Sequence, residues 1–415
     1  MWRAKIPACW FLSLQIKRTP VTRKSSLGLI FIIMLMDVIG ITILNPVAPY
    51  IVRRFSTAAL MVSMITIIYA SGQFMAAPLM GKLGDRYGRR PVLLISIFGQ
   101  GIGYLIFGLG GGLWVLFLGR FIGGITGGNL STATAYIADV SKPEERAKNF
   151  ALIGMAWSLG LILGPAAGGF LGQFSLATPA FVAAGLSLLN VLLGFFILPE
   201  SLPQERRETS SMRANDFNPI VSIFEMALKP GLGWLLLVTG LFNFTFNGIN
   251  STAAVFMIQK FSAQLWQISA LTMVAGIAIA LTNFLLVPKW VKRFGEKVVA
   301  TGSLLGQGAI NLAIFFVPVF WPIFLLNMLT AALSAFTFPT LTTLSAERVL
   351  HREVGLLMGV TTGLGSLMNV FGPLWGGAVF DHVMVGAPYW MGAIILAFAG
   401  LMLMKAQTRK KAVTS

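Results

Sequence analysis

The sequence predicts an all-α polytopic membrane protein. It has twelve transmembrane helices as two duplicated six-helix bundles, with both termini cytoplasmic. Three observations carry this. The 415 residues are 56% hydrophobic and only 11% charged, with a mean hydropathy of +0.80; a soluble domain carries about 25% charge. Uncharged runs of about twenty residues, the length that crosses a bilayer as a helix, recur along the chain. Basic residues crowd into every second loop. A transmembrane barrel would show segments of about ten alternating residues, whereas these runs are longer and apolar all round.

Residues 1–26 carry Arg3, Lys5, Lys17, Arg18, Arg23 and Lys24 around a short apolar patch, Ala8 to Leu14. The patch is short for a signal peptide and no small-residue cleavage site follows. The segment is expected to be a basic cytoplasmic tail lying on anionic lipid, with an overextended start as the alternative. Twelve apolar spans follow, at 28–51, 58–81, 91–110, 113–138, 149–172, 177–198, 232–258, 266–290, 298–317, 320–345, 355–380 and 387–404. Residues 27–198 form the first bundle and 232–404 the second. Between them, 199–231 is a polar, charged cytoplasmic linker, and 405–415 is a second basic tail.

Of 31 Lys and Arg, 27 lie in the two tails and the even-numbered loops, and Arg53, Arg54 and Lys260 lie on the other side. This is the positive-inside pattern, and it places both termini in the cytoplasm. It also accounts for the net charge of +17 without nucleic acid. The single cysteine, Cys9, excludes an intramolecular disulfide, and two histidines near loops outline no zinc or haem site. No cofactor is expected. There is no Walker lysine loop and no nucleophile–base set, so no enzymatic activity is expected.

The halves echo each other. GKLGDRYGRRPVLL at 81 is matched by PKWVKRFGEKVVAT at 288, 207 residues on, and GPAAGG at 164 by GPLWGG at 372, 208 residues on. Duplicated six-span halves are a transporter architecture, with the substrate site between them near the midplane.

Asp37 is the sole carboxylate well inside an expected span. A charge there costs about 2.5–3.5 kcal/mol on insertion scales, so it is a candidate for binding and releasing a proton. The alternative is a carboxyl that only supports packing. Arg120 is the one cation inside a span; it either snorkels outward or faces the cavity as the partner of Asp37. Gly81 to Pro91 reads as a tight cytoplasmic hairpin, with Gly81 and Gly88 allowing close backbone approach. Its acid, Asp85, is available to pair with Arg89 or Arg146, or to cap a helix N-terminus, and Asp139 is available to Arg89. Such pairs would act as a latch that forms in one conformation and breaks in another. Gly160, Gly164 and Gly168 form a smooth ridge at steps of four, with Pro165 beside it as a bend. The ridge suits either ordinary helix packing or a rocking contact between the halves. Thr239, Asn243, Asn247 and Asn250 share one helical face, and Tyr69 and Gln73 form a similar pair. Polar faces in spans turn toward protein or an aqueous cavity, so these residues are expected to line a substrate cavity for a largely apolar ligand.

GKLGDRYGRRP, LGRFIGGITGG and GLILGPAAGG resemble the loop 2–3, span 4 and span 5 signatures of the major facilitator superfamily, specifically its 12-span drug/proton antiporters. DVIGITILNPVAP, YIADVSKPEERAKNF and RFGEK are similar to bacterial tetracycline/proton antiporters. The likeness covers nearly the whole chain after about residue 27. It implies proton-driven efflux of a drug or antibiotic across the cell (inner) membrane. It also implies Asp37 as proton site, Arg120 as its partner, and Asp85, Arg89 and Asp139 as a gating network. FGQGIGYL in span 3 and GSLLGQGAIN in span 9 lack the acids of the tetracycline antiporters, and GIAIALTNF in span 8 lacks their histidine. The likeness therefore stops short of tetracycline–metal recognition. The expected function is proton-coupled export of a lipophilic small molecule by a monomer. The alternatives are a nutrient or organic-anion symporter, and a non-transporting receptor or assembly factor on the same fold.

Overall fold

A computed structural model describes residues 23–142, 145–207, 226–229, 231–350 and 354–405. The first helices are α1 (Arg23–Thr42), α2 (Ala48–Val52), α3 (Ala59–Tyr87), α4 (Arg89–Leu109), α5 (Leu113–Thr126), α6 (Asn129–Val140), α7 (Arg146–Leu171) and α8 (Thr178–Ile197). Then come α9 (Leu232–Phe261), α10 (Leu265–Leu281), α11 (Val287–Phe294), α12 (Glu296–Phe316), α13 (Pro322–Ala346), α14 (Val354–His382) and α15 (Ala387–Lys405). A π-helical turn, Thr282–Leu286, joins α10 to α11 ahead of Pro288, which has no N–H to give the ladder.

Among the described residues, ten helical stretches are long and apolar enough to cross a bilayer. A shorter apolar helix, Ser26–Thr42, lies where the first span is expected, and α14 covers the eleventh. Large apolar side chains such as Met75, Trp114, Phe174 and Phe316 stand exposed on the outside. On a protein in water these would be a liability; in a bilayer they face lipid.

Helices α1–α8 pack among themselves and α9–α15 among themselves. The two sets meet chiefly where α3 lies against α14 and α7 against α10. One apolar cluster joins the sets at the end away from the basic loops. It runs from Ile43, Val47 and Ile65 to Phe256, Leu271 and Phe380. At the basic-loop end each set has its own core, around Ile33, Leu93 and Tyr136 in the first and around Leu235, Leu304 and Met226 in the second. The molecule is sealed at one end, and among the described residues no shared core closes the other.

Two local expectations change. The loop expected over Gly81 to Pro91 shrinks to one residue: α3 runs through to Tyr87, and Gly88 alone turns the chain into α4 at φ 102° and ψ 154°. The repeat has the same device. Gly295, 207 residues later, turns α11 into α12 at φ 79° and ψ 156°. A side chain at either position would be strained. The span expected at 113–138 is two helices, broken at Gly127 and Gly128. Here α3 crosses so closely that a Cβ on Gly124 would lie 2.4 Å from the Tyr69 carbonyl oxygen.

Candidate functional site

The break in the fourth span organises the buried charges. Gln73 donates to the Gly127 carbonyl at 2.9 Å, satisfying a group that the interruption frees. Asn129, the first residue of α6, donates from Nδ2 to Asp37 Oδ2 at 2.9 Å. Asp37 thus lies beside the N-terminal end of a twelve-residue helix, the end that favours negative charge. Asp37 is 5% exposed and Asn129 3%. The other carboxyl oxygen, Oδ1, is buried and accepts no hydrogen bond.

Arg120 is buried too. Its guanidinium lies 4.9 Å from the Phe107 ring centre and 5.9 Å from that of Tyr69. Its Nε is buried without a hydrogen-bond partner. The snorkelling option is excluded in this conformation. Among the described residues Arg120 makes no ion pair with Asp37. Tyr69 lies beside Arg120, and Tyr104 packs against α1, where a Cβ on Gly40 would lie 3.3 Å from its ring. Gln100 donates to Tyr69 Oη at 3.3 Å and to Tyr104 Oη at 2.9 Å. Tyr69 and Gln73, expected to line the cavity, hold this cluster and the helix break. Sequence reasoning passed over Asn129, Gln100 and Tyr104, although the run GITGGN was a readable sign of an interrupted helix.

The glycine ridge of α7 packs against α1, inside one bundle, and not between the halves. A Cβ on Gly164 would lie 1.9 Å from Thr42 Oγ1, and one on Gly160 would lie 2.3 Å from Val38 Cγ1. Thr42 Oγ1 donates to the Gly160 carbonyl at 2.8 Å. The ridge therefore seats the helix that carries Asp37, and α7 stays helical through Pro165. The contact of α7 with α10 is made by other residues: a Cβ on Gly169 would meet Ser269 Oγ at 2.2 Å.

At the basic end, Arg89 pairs with Asp85 at 2.6 Å and with Asp139 at 3.3 Å. Arg89 Nη1 also donates to the Gly81 carbonyl at 3.4 Å. The Arg146 side chain lies outside the described residues. Glu200, absent from the expected network, joins it: Oε1 accepts from the Arg89 backbone N–H at 2.8 Å and caps α4, whose N-cap residue Gly88 has no side chain to do so. Ser201 Oγ donates to Asp139 at 3.1 Å.

The sealed end has its own capping acid. Asp381, in the last turn of α14, accepts from the backbone N–H groups of Ala59 and Leu60, each at 2.8 Å. These are the first two amides of α3, and the N-cap residue Ala58 carries no capping group. Tyr50 Oη donates to the Ala263 carbonyl at 2.7 Å, and Ser63 and Ser251 hydroxyls meet at 3.3 Å. All three contacts cross between the helix sets.

On α9, Thr239, Asn243, Asn247 and Asn250 lie on one face as expected. Thr239 is buried, Asn243 and Asn247 half-buried, and Asn250 exposed.

Membrane helices in two sets, sealed at one end and holding an acid and a cation in the interior, define a small-molecule membrane transporter. A model of the family described as the Major Facilitator Superfamily matches residues 30–282 and 235–415. The chain belongs to that superfamily. It is 32% identical over 385 residues to tetracycline resistance protein class C of Escherichia coli, covering 92% of this chain and 96% of that protein. It is 28% identical to multidrug resistance protein 2 of Bacillus subtilis (strain 168), covering 85% of this chain and 89% of that one. A bacterial homologue of the human lysosomal transporter Spinster, in an inward-facing and occupied conformation, shares the fold. Its TM-score is 0.72 at 18% identity, over 94% of this chain and 96% of that one.

Proposed function

We propose that this protein is a proton-coupled exporter of a lipophilic small molecule, such as an antibiotic. It works by alternating access as a monomer of twelve spans in two six-helix bundles, in the cell membrane with both termini cytoplasmic. The observation that carries this is the setting of Asp37. It is a buried membrane carboxyl fixed through one oxygen by Asn129, with the other oxygen free of donors and available to a proton. Arg120 lies against Tyr69 and Phe107 and, among the described residues, makes no ion pair with the acid, so the two respond to proton and substrate separately.

Alternating access needs contacts that form at one end while those at the other release. The Asp381 cap and the shared apolar cluster close one end. The Asp85–Arg89–Asp139–Glu200 network holds α3, α4 and α6 together at the other end and, among the described residues, does not reach the second helix set. The positive-inside distribution makes the open end cytoplasmic. The relatives named for tetracycline and multidrug resistance support an outward direction.

Everted vesicles test this. With an acid-inside gradient imposed, an exporter accumulates its drug in the lumen, and Asp37→Asn abolishes the accumulation while the protein stays folded. A symporter reading draws on the unpartnered Arg120 Nε, which could meet an organic anion. In the same vesicles it predicts that an acid lumen drives substrate out.

A further inference from the structure

We infer that the asparagine face of α9 is a row of bare hydrogen-bond acceptors, and that it selects lipophilic substrates carrying N–H or O–H donors. This rests on the transport function proposed above and names the substrate chemistry of that site.

The amide orientations carry the inference. Asn243 Nδ2 donates to the Thr239 carbonyl at 2.8 Å, Asn247 Nδ2 to the Asn243 carbonyl at 2.8 Å, and Asn250 Nδ2 to the Phe246 carbonyl at 2.7 Å. A backbone carbonyl can only accept, so each amide nitrogen must face its own helix and each Oδ1 must point away. Among the described residues none donates a hydrogen bond to any of the three oxygens. Those of the half-buried Asn243 and Asn247 are not among the sealed, unpartnered atoms, so they reach the outside of the packed protein.

The other faces of α9 are taken. Gly248 is pressed against Trp375 and Gly372 of α14, and Thr245 and Ile249 against Gly392 of α15. Ser251, one turn beyond Asn247, meets Ser63 of α3 across the two helix sets. Bare amide oxygens are costly in hydrocarbon, so the remaining face belongs to a wet path or a ligand. At about 1.5 Å of rise per residue the row is about 10 Å long, the size of a fused aromatic drug. Phe246, its ring tilted against that of Phe242 with centres 5.8 Å apart, adds an apolar surface beside the row. A ligand with donors on its edge satisfies the oxygens; one with acceptors alone strips them of water and returns nothing.

The test compares two planar dyes. Proflavine carries four N–H groups on its exocyclic amines; acridine orange is the tetramethylated analogue without them. Equilibrium binding is measured by fluorescence polarisation on the purified full chain in nanodiscs, which requires neither coupling nor direction. Wild type binds proflavine at least about fivefold more tightly, the value of about one net hydrogen bond. Asn243→Leu/Asn247→Leu brings the ratio to about one, because proflavine loses its partners and acridine orange no longer strips bare oxygens of water, and retained acridine orange binding reports an intact fold. Should that variant misfold, Asn247→Thr supplies the test. Its hydroxyl can donate to the same carbonyl, as Thr239 does to Leu235 at 2.8 Å, and still turn an acceptor outward, so the preference persists. A second arm separates the two proposals: Asp37→Asn retains the binding preference whether or not transport is lost. Equal affinity for both dyes in wild type, binding of neither, or an unchanged ratio in the double-leucine variant would overturn the inference.

Discussion

Replacing Asp381 with alanine should open the sealed end. The carboxylate receives the first two amides of α3, each at 2.8 Å, from a residue on the opposite helix set. Hydrogen bonds to a charged group contribute about 1.5–3 kcal/mol when shielded, and an N-cap contributes about 0.5–2 kcal/mol. Asp381 is exposed, so water competes and the lower part of these ranges applies. A loss of about 1.5 kcal/mol corresponds to a roughly tenfold shift in a two-state equilibrium. The Tyr50–Ala263 bond and the apolar cluster remain, so closure is weakened and not abolished. Asp381→Asn keeps one acceptor oxygen and loses the charge at the helix end, itself about 0.3–1 kcal/mol, so it falls between wild type and alanine. With Cys9, the sole native cysteine, replaced by serine, spin labels at the exposed Thr57 and Met384 report the separation of the two helix sets. Double electron–electron resonance should show a longer-distance population that rises about tenfold in Asp381→Ala. An unchanged distance distribution would refute the latch.

Arg89→Ala leaves Asp85 and Asp139 side by side without their cation, and transport should fall by about tenfold or more while Glu296→Ala, at the corresponding site of the repeat, changes it little. Equal tolerance of both substitutions in a drug-efflux assay would count against a gate at the first hairpin alone. Gly164→Val drives a branched side chain into Thr42, where even a Cβ would stand 1.9 Å from Oγ1. Overpacking of this kind costs about 1–3 kcal/mol, read as a lower thermal transition in detergent, and unchanged stability would show that α1 and α7 separate freely. Gly88→Ala forces a Cβ to within 2.4 Å of the Glu200 carboxylate at a φ of 102°, so it should destabilise by more than Gly295→Ala, which meets nothing within 4 Å. The reverse order in thermal melts would remove Glu200 from the hairpin.

Much of this fold was legible because a bilayer enforces simple rules. A span must be long and apolar, and its loops must sort by charge, so most of the spans could be read without coordinates, though not the run of α3 on to Tyr87 or the break in the fourth span. Within the matched stretches at 81 and 288 the structure narrows each expected loop to a single-residue turn, at Gly88 and at Gly295. Asp37 and Arg120 were visible because each is a charge where charges are expensive. Their partners were not. Asn129, Gln100 and Tyr104 are polar but uncharged, and nothing in one sequence says which of many such residues will face an acid 92 positions away. The ridge Gly160–Gly164–Gly168 announced close packing but not its partner, since smoothness fits any neighbouring helix; the structure gives it to α1. Asp381 and Glu200 lie at span ends, where acids are common, and only the exposed amides of α3 and α4 give them a task.

The central claim is that Asp37 couples proton movement to export, and proton release on drug binding measures it most directly. The purified protein in weakly buffered nanodiscs is mixed with a transported drug while a pH indicator is followed. Wild type should release protons on binding, and Asp37→Asn should bind the drug with no release. Equal release from both proteins would contradict the account.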